Sequence, residues 1–130
     1  MKSRPSSLGL LPRLVVRPVF WVALALVLIM ALLPHPPRFP LDGYGDKAEH
    51  ALAFAVLAAL ASMAWPRAPL WRVMLALSLL GALIEVFQAI PILHRDCDVR
   101  DWVADTIALV LVLAAVGVWR GLRDTARSDT

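Results

Sequence analysis

Apolar residues fall into four blocks along the chain, at 18–33, 48–65, 70–90 and 102–119, separated by short segments rich in proline or charge. Each block is long enough, or nearly so, to cross a hydrocarbon core of about 30 Å as a helix. Only a helix satisfies every backbone N–H and C=O of such a segment from within. The pattern predicts an all-α, polytopic membrane protein: a bundle of four transmembrane helices between a basic N-terminal tail (1–17) and a C-terminal tail (120–130). Nothing left over is large enough to fold as a separate domain.

Proline punctuates the blocks as spanning helices require. Pro18 fits a first-turn position, where its missing N–H costs nothing. Pro34, Pro36, Pro37 and Pro40 forbid continuation of the first helix, Pro66 and Pro69 bracket the second turn, and Pro91 ends the third helix. Trp21, Trp65, Trp71, Trp102 and Trp119 fall at expected span ends, where an indole prefers the membrane interface. Helices in lipid approach closely through small residues at helical spacing. The second block offers Ala51, Ala55 and Ala59, the third Ser78, Gly81 and Ala82, and the fourth Ala104 and Ala108. Blocks two to four are thus expected to form the tight core, with the Leu- and Val-rich first block more lipid-facing.

Composition agrees: 60% of residues are hydrophobic and 18% charged, too apolar for a soluble domain of 130 residues. The first block also fits a secretory signal, preceded by Lys2, Arg4, Arg13 and Arg17. No small-residue cleavage pattern follows Met30, so an uncleaved anchor is expected. With four spans, nine basic residues share one side (Lys2, Arg4, Arg13, Arg17, Arg67, Arg72, Arg120, Arg123, Arg127) and four the other (Arg38, Lys47, Arg95, Arg100). That bias places both termini in the cytoplasm. The net charge of +3 then reads as an orientation signal, and no nucleic-acid partner is expected. Acidic residues are skewed the opposite way: only Asp124 and Asp129 lie on the cytoplasmic side. The single cysteine, Cys97, has no disulfide partner in the chain and reads as a small loop residue.

Three polar groups converge on the outer leaflet. Asp46, Lys47, Glu49 and His50 open the second span; Glu85 and Gln88 lie one to two turns from the end of the third; Asp98, Asp101 and Asp105 enter the fourth, with Arg95 and Arg100 close by. At 100° per residue, Glu85 and Gln88 share a face, as do positions 98, 101 and 105. A carboxylate in hydrocarbon costs about 2.5–3.5 kcal/mol on insertion scales, so Glu85 needs a partner or a purpose. Capping accounts for part of the set: Asp46 with Glu49 for the second helix, Asp98 with Asp101 for the fourth. Glu85, Gln88 and Asp105 lie too far along their helices for that. Two readings remain for them. One is a structural clasp, with Glu85 paired to Lys47 or Arg95 and Gln88 bonded to Asp105 or His50. The other is a ligand site built from Asp46, Lys47, His50, Glu85, Gln88, Arg95, Asp98, Asp101 and Asp105. There Glu85, Asp101 or His50 would act as general acid or base, and Lys47 and Arg95 would hold an anionic head group. Glu85, Asp101 and Asp105 also offer hard oxygens to a divalent metal, without any accompanying His-Glu-x-x-His or paired-cysteine pattern. No cofactor is otherwise expected. His35 and His94 fall in loops.

The pattern Asp46-Lys47-x-x-His50, Gly81-x-x-x-Glu85-x-x-Gln88 and Arg95-x-x-Asp98-x-x-Asp101-x-x-x-Asp105 resembles the VanZ-like family of small membrane proteins, over about residues 46–119. The family pattern has Asn at the position of Asp105 and Gly at that of Ala108. The resemblance implies a cell-envelope role, whose founding example is linked to resistance to the glycopeptide teicoplanin. Taken together, the expected partner is a membrane lipid or a lipid-linked cell-wall precursor, bound in an outward-facing pocket of an inner-membrane protein. The alternatives are a non-catalytic scaffold, whose polar residues lock the helices, and a transporter, which four short spans without an inverted repeat could form only as an oligomer.

Overall fold

A computed structural model describes residues 11–34 and 46–128. It consists of α1 (Leu11–Leu32), α2 (Asp46–Ala64), α3 (Leu70–Gln88) and α4 (Val99–Ser128), with a 3-10 turn at Pro91–Leu93. All four α-helices are long and apolar enough to cross a membrane, and the described residues contain no strand.

Four cross-links fix the helix directions. Arg17, early in α1, donates to the carbonyl of Ala64 at the end of α2 (3.3 Å), and Gln88, ending α3, donates to Ala31 near the end of α1 (2.9 Å). Lys47, opening α2, meets Asp98 and Asp101 at the start of α4, and Arg120, far along α4, donates to Ser62 of α2 (3.0 Å). The helices therefore alternate up and down, and α2 and α4 run parallel. These two make the most extensive contact, with α3 packed chiefly on α4 and α1 on α2.

The core follows helical periodicity. Phe54, Leu57, Ala58 and Ala61 of α2 meet Leu77 and Ile84 of α3 and Leu109 and Leu113 of α4. The opposite faces stay apolar as well: Val22, Leu26 and Ile29 of α1, Leu79, Leu83 and Val86 of α3, and Leu111 and Val118 of α4 are all exposed. So much outward apolar surface suits contact with lipid rather than water.

Several expectations about packing are corrected. The buried stripe of α2 is Phe54, Leu57, Ala58, Ala61 and Ala64, whereas Ala51, Ala55 and Ala59 are only partly covered. The stripe is set by the parallel contact with α4, one step around the helix from the alanine row. α1 is the least covered of the four spans, as expected, with Phe20 and Ala31 its contribution to the core. Pro18 is not in a first turn. α1 begins at Leu11, which puts Pro12 near its start and Pro18 in its interior, where the lost N–H leaves a carbonyl one turn earlier without its helical donor. Both expected tails are partly helix: α1 takes in residues from 11 and α4 continues to Ser128. Pro34 follows α1 directly; Pro36, Pro37 and Pro40 lie outside the described residues. Trp102, in the first turn of α4, turns its indole into the α3–α4 contact and donates to the Ser78 carbonyl (3.0 Å). Trp65 and Trp21 join Phe20 in an edge-to-face cluster where α1 crosses the end of α2.

Candidate functional site at the acidic end of the bundle

The antiparallel order brings the ends of α1 and α3 beside the beginnings of α2 and α4. Asp98 sits at the centre of what gathers there. As N-cap of α4, its Oδ1 accepts the backbone N–H of Arg100 (2.9 Å), two residues on. Its Oδ2 accepts from Lys47 Nζ (2.9 Å), and its own backbone N–H donates to Glu85 Oε2 (3.0 Å). Lys47 also reaches Asp101 Oδ1 at 3.1 Å, an ion-pair contact rather than an aligned hydrogen bond. One lysine and one peptide N–H thus tie three carboxylates from two helices into a chain. The ammonium beside Asp98 holds that carboxyl below its usual range, helped by the Arg100 N–H.

Deeper in, the carboxylates are more enclosed and less well served. Glu85, Gln88, Asp101 and Asp105 are 6%, 2%, 5% and 1% exposed. Buried polar atoms are nearly always paired. Here Glu85 Oε1, Gln88 Oε1, Asp101 Oδ1 and Asp105 Oδ1 have no hydrogen-bond partner among the described residues. His50 Nδ1 lies 3.7 Å from Asp105 Oδ2, close enough for ion pairing once protonated and too long for a direct hydrogen bond. A carboxylate facing an imidazole in this way can orient it as a general base.

Gly81 makes room for this arrangement. A Cβ there would come within 3.3 Å of Trp102 Cδ1, 3.4 Å of Phe54 Cζ and 3.6 Å of Asp105 Oδ2. The missing side chain lets α4 carry Trp102 and Asp105 against α3. Ser78 and Thr106, whose hydroxyls are 3.1 Å apart, bond across the same seam one turn further from the acidic end.

The structure therefore unites Lys47, His50, Glu85, Asp98, Asp101 and Asp105, as the sequence pattern predicts, with partners other than those expected. Glu85 pairs with the Asp98 N–H rather than with Lys47. Gln88 turns away from Asp105 and His50 to hold α1 by the Ala31 carbonyl. Arg95 lies partly exposed in the segment joining the 3-10 turn to α4. Asp46 is the first residue of α2 rather than the residue before it, and its side chain lies outside the described residues, as does His35. His94 is in a loop as expected and adopts φ 48°, ψ 41°, which turns the chain toward α4. Cys97 is an exposed loop residue, as expected, and desolvation together with the neighbouring Glu85 carboxylate pushes its thiol up. One participant escaped the sequence reading: the Ala31 carbonyl, which has no sequence signature at all. Among the described residues no three His, Cys, Asp or Glu side chains gather as a metal-ligand set.

No family model matches the chain, and no curated protein or solved structure is significantly similar to it.

Proposed function

We propose that this is a cell-envelope protein of the inner membrane, with both termini cytoplasmic and the acidic end facing outward as the binding site for the head group of a membrane lipid or lipid-linked cell-wall precursor. The observation that carries the reading is the set of buried acceptors without donors among the described residues: Glu85 Oε1, Gln88 Oε1 and Asp105 Oδ1. Leaving such atoms unpaired costs about 1–3 kcal/mol each, so a cluster of them favours a ligand that brings N–H or O–H groups. Lys47 already shares its charge between Asp98 and Asp101. An anion alone is therefore a poor fit for the interior. A head group with hydroxyl or ammonium donors turned inward and a phosphate at the rim, near Lys47, Arg95 and Arg100, suits both regions. The VanZ-like motif pattern supports an envelope role and makes a contribution to teicoplanin resistance the phenotype to examine first.

A structural clasp is the second reading, favoured by the Lys47–Asp98–Glu85 chain and the Gln88–Ala31 bond. Native mass spectrometry of the detergent-purified protein, wild type beside Glu85→Gln, separates the two. A defined lipid retained by the wild type and lost from an equally stable variant supports the site. A variant that melts earlier, with nothing retained by either protein, supports the clasp.

A further inference from the structure

The opposite end of the bundle carries a second, basic notch. Where α1 passes the turn between α2 and α3, a cavity of about 130 Å³ opens between Arg17, Trp65, Pro66, Arg67 and Ala68. The Arg17 guanidinium lies 5.8 Å from the centre of the Trp65 ring, and its Nε is committed to the Ala64 carbonyl. That bond fixes the plane of the guanidinium while leaving its two terminal nitrogens without a partner among the described residues. Arg67, exposed on the turn, has no ion-pair or hydrogen-bond partner among them either. No acidic side chain lines the cavity. Exposed Trp21, edge-to-face with Trp65, continues the wall from the notch along α1 toward the bilayer interior.

We propose that this notch binds the phosphate of an anionic phospholipid, with Arg17 and Arg67 as the two anion contacts and the Trp21–Trp65 surface against the upper acyl chain. A planar guanidinium held in place by a backbone carbonyl is organised for phosphate oxygens before the ligand arrives. The depth is right as well, because the notch sits where apolar helix gives way to a charged turn. Basic pockets between helices at this level are a known way to recognise lipid phosphate. This site is independent of the acidic end.

The test is native mass spectrometry of the full chain in detergent, titrated with phosphatidylglycerol or phosphatidylcholine. Three proteins are compared: wild type, Arg67→Gln and Arg123→Gln. Arg67 is exposed and makes no ion pair or hydrogen bond among the described residues, so its variant is expected to keep the bundle intact; Arg123 stacks on Trp119 outside the notch. The proposal expects the wild type to prefer phosphatidylglycerol and Arg67→Gln to lose about fivefold in affinity, with Arg123→Gln unchanged. Equal losses in both variants would mean diffuse attraction to a basic surface and overturn it. So would equal binding of the two lipids, or competition by free glycerol phosphate as effective as that of the lipid, which would make the ligand a soluble phosphate.

Discussion

At the basic end of the bundle, arginine side chains meet backbone carbonyls; at the acidic end, charged side chains meet one another as well as backbone. α2 has no basic residue in its own last turn, yet its final carbonyls are closed by guanidinium groups from two other helices: Arg120 on Ser62 and Arg17 on Ala64. Cations at a helix C-terminus are favourable through the macrodipole and the orphan carbonyls. The acidic end uses the same physics only in part. Asp98 caps α4, Asp101 lies in its first turn and one Glu85 oxygen takes the Asp98 N–H, while Asp105 sits beyond that turn and the spare oxygens of Glu85 and Asp105 go unmatched. At the basic end the carbonyls are closed and only outward guanidinium nitrogens stay open; at the acidic end it is buried acceptors that stay unmatched.

The comparison also revises the charge count. Because α2 and α4 are parallel, both helix N-termini lie at the acidic end, and part of the acidic skew is a response to their dipoles. On the basic side, Arg17 and Arg120 have structural tasks. Setting them aside leaves seven basic residues (nine less two) against four, so the charge bias behind the proposed orientation survives, though reduced.

The largest effect is expected where the acidic end is packed most tightly. Gly81→Leu should destabilise the protein by about 1–3 kcal/mol through overpacking against Trp102 and Phe54, seen as a lower melting temperature in detergent. An unchanged melt would mean that the α3–α4 seam is looser than its distances indicate. Arg120→Gln should cost about 1 kcal/mol by uncapping α2. Asp105→Asn should act with the opposite sign, stabilising the fold by roughly 1 kcal/mol while weakening ligand retention, because it removes a buried charge that the fold does not need. If both substitutions destabilise alike, the two ends are equivalent and the acidic one is a clasp. The smallest effect concerns pH. The carboxyl of Asp98 is held low by Lys47, so its contribution is present above the ordinary carboxylate range and is lost as pH falls through the lowered folded-state value. Acid titration of wild type against Asp98→Asn should show the wild type alone losing stability in that window; parallel curves would remove Asp98 from the capping role.

What was legible in the sequence divides along similar lines. Four helices, their order and the convergence of Lys47, His50, Glu85, Asp98, Asp101 and Asp105 follow from hydropathy and the 3.6-residue period, because those signals are local. The pairing inside the cluster did not follow. Glu85 finds a backbone N–H and Gln88 a carbonyl of α1, and main-chain partners have no letter in the sequence. The stripe of α2 was misplaced for a related reason: an alanine row marks a face that can approach closely, while the parallel neighbour decides which face does. The interior place of Pro18 escaped because hydropathy marks where lipid begins and not where a helix does.

The depth of Asp105 has an electrical consequence. It lies seven residues beyond Asp98, about 10 Å along α4 at 1.5 Å per residue, roughly a third of the way through a 30 Å hydrocarbon core. With the acidic end outward, a cationic group moving from the external water to Asp105 crosses about that fraction of the membrane voltage. At 100 mV, inside negative, this contributes about 0.8 kcal/mol, or roughly fourfold in occupancy. An ammonium-bearing ligand would therefore be held more tightly in an energised cell than in detergent, whereas an uncharged hydroxyl donor would not sense the difference.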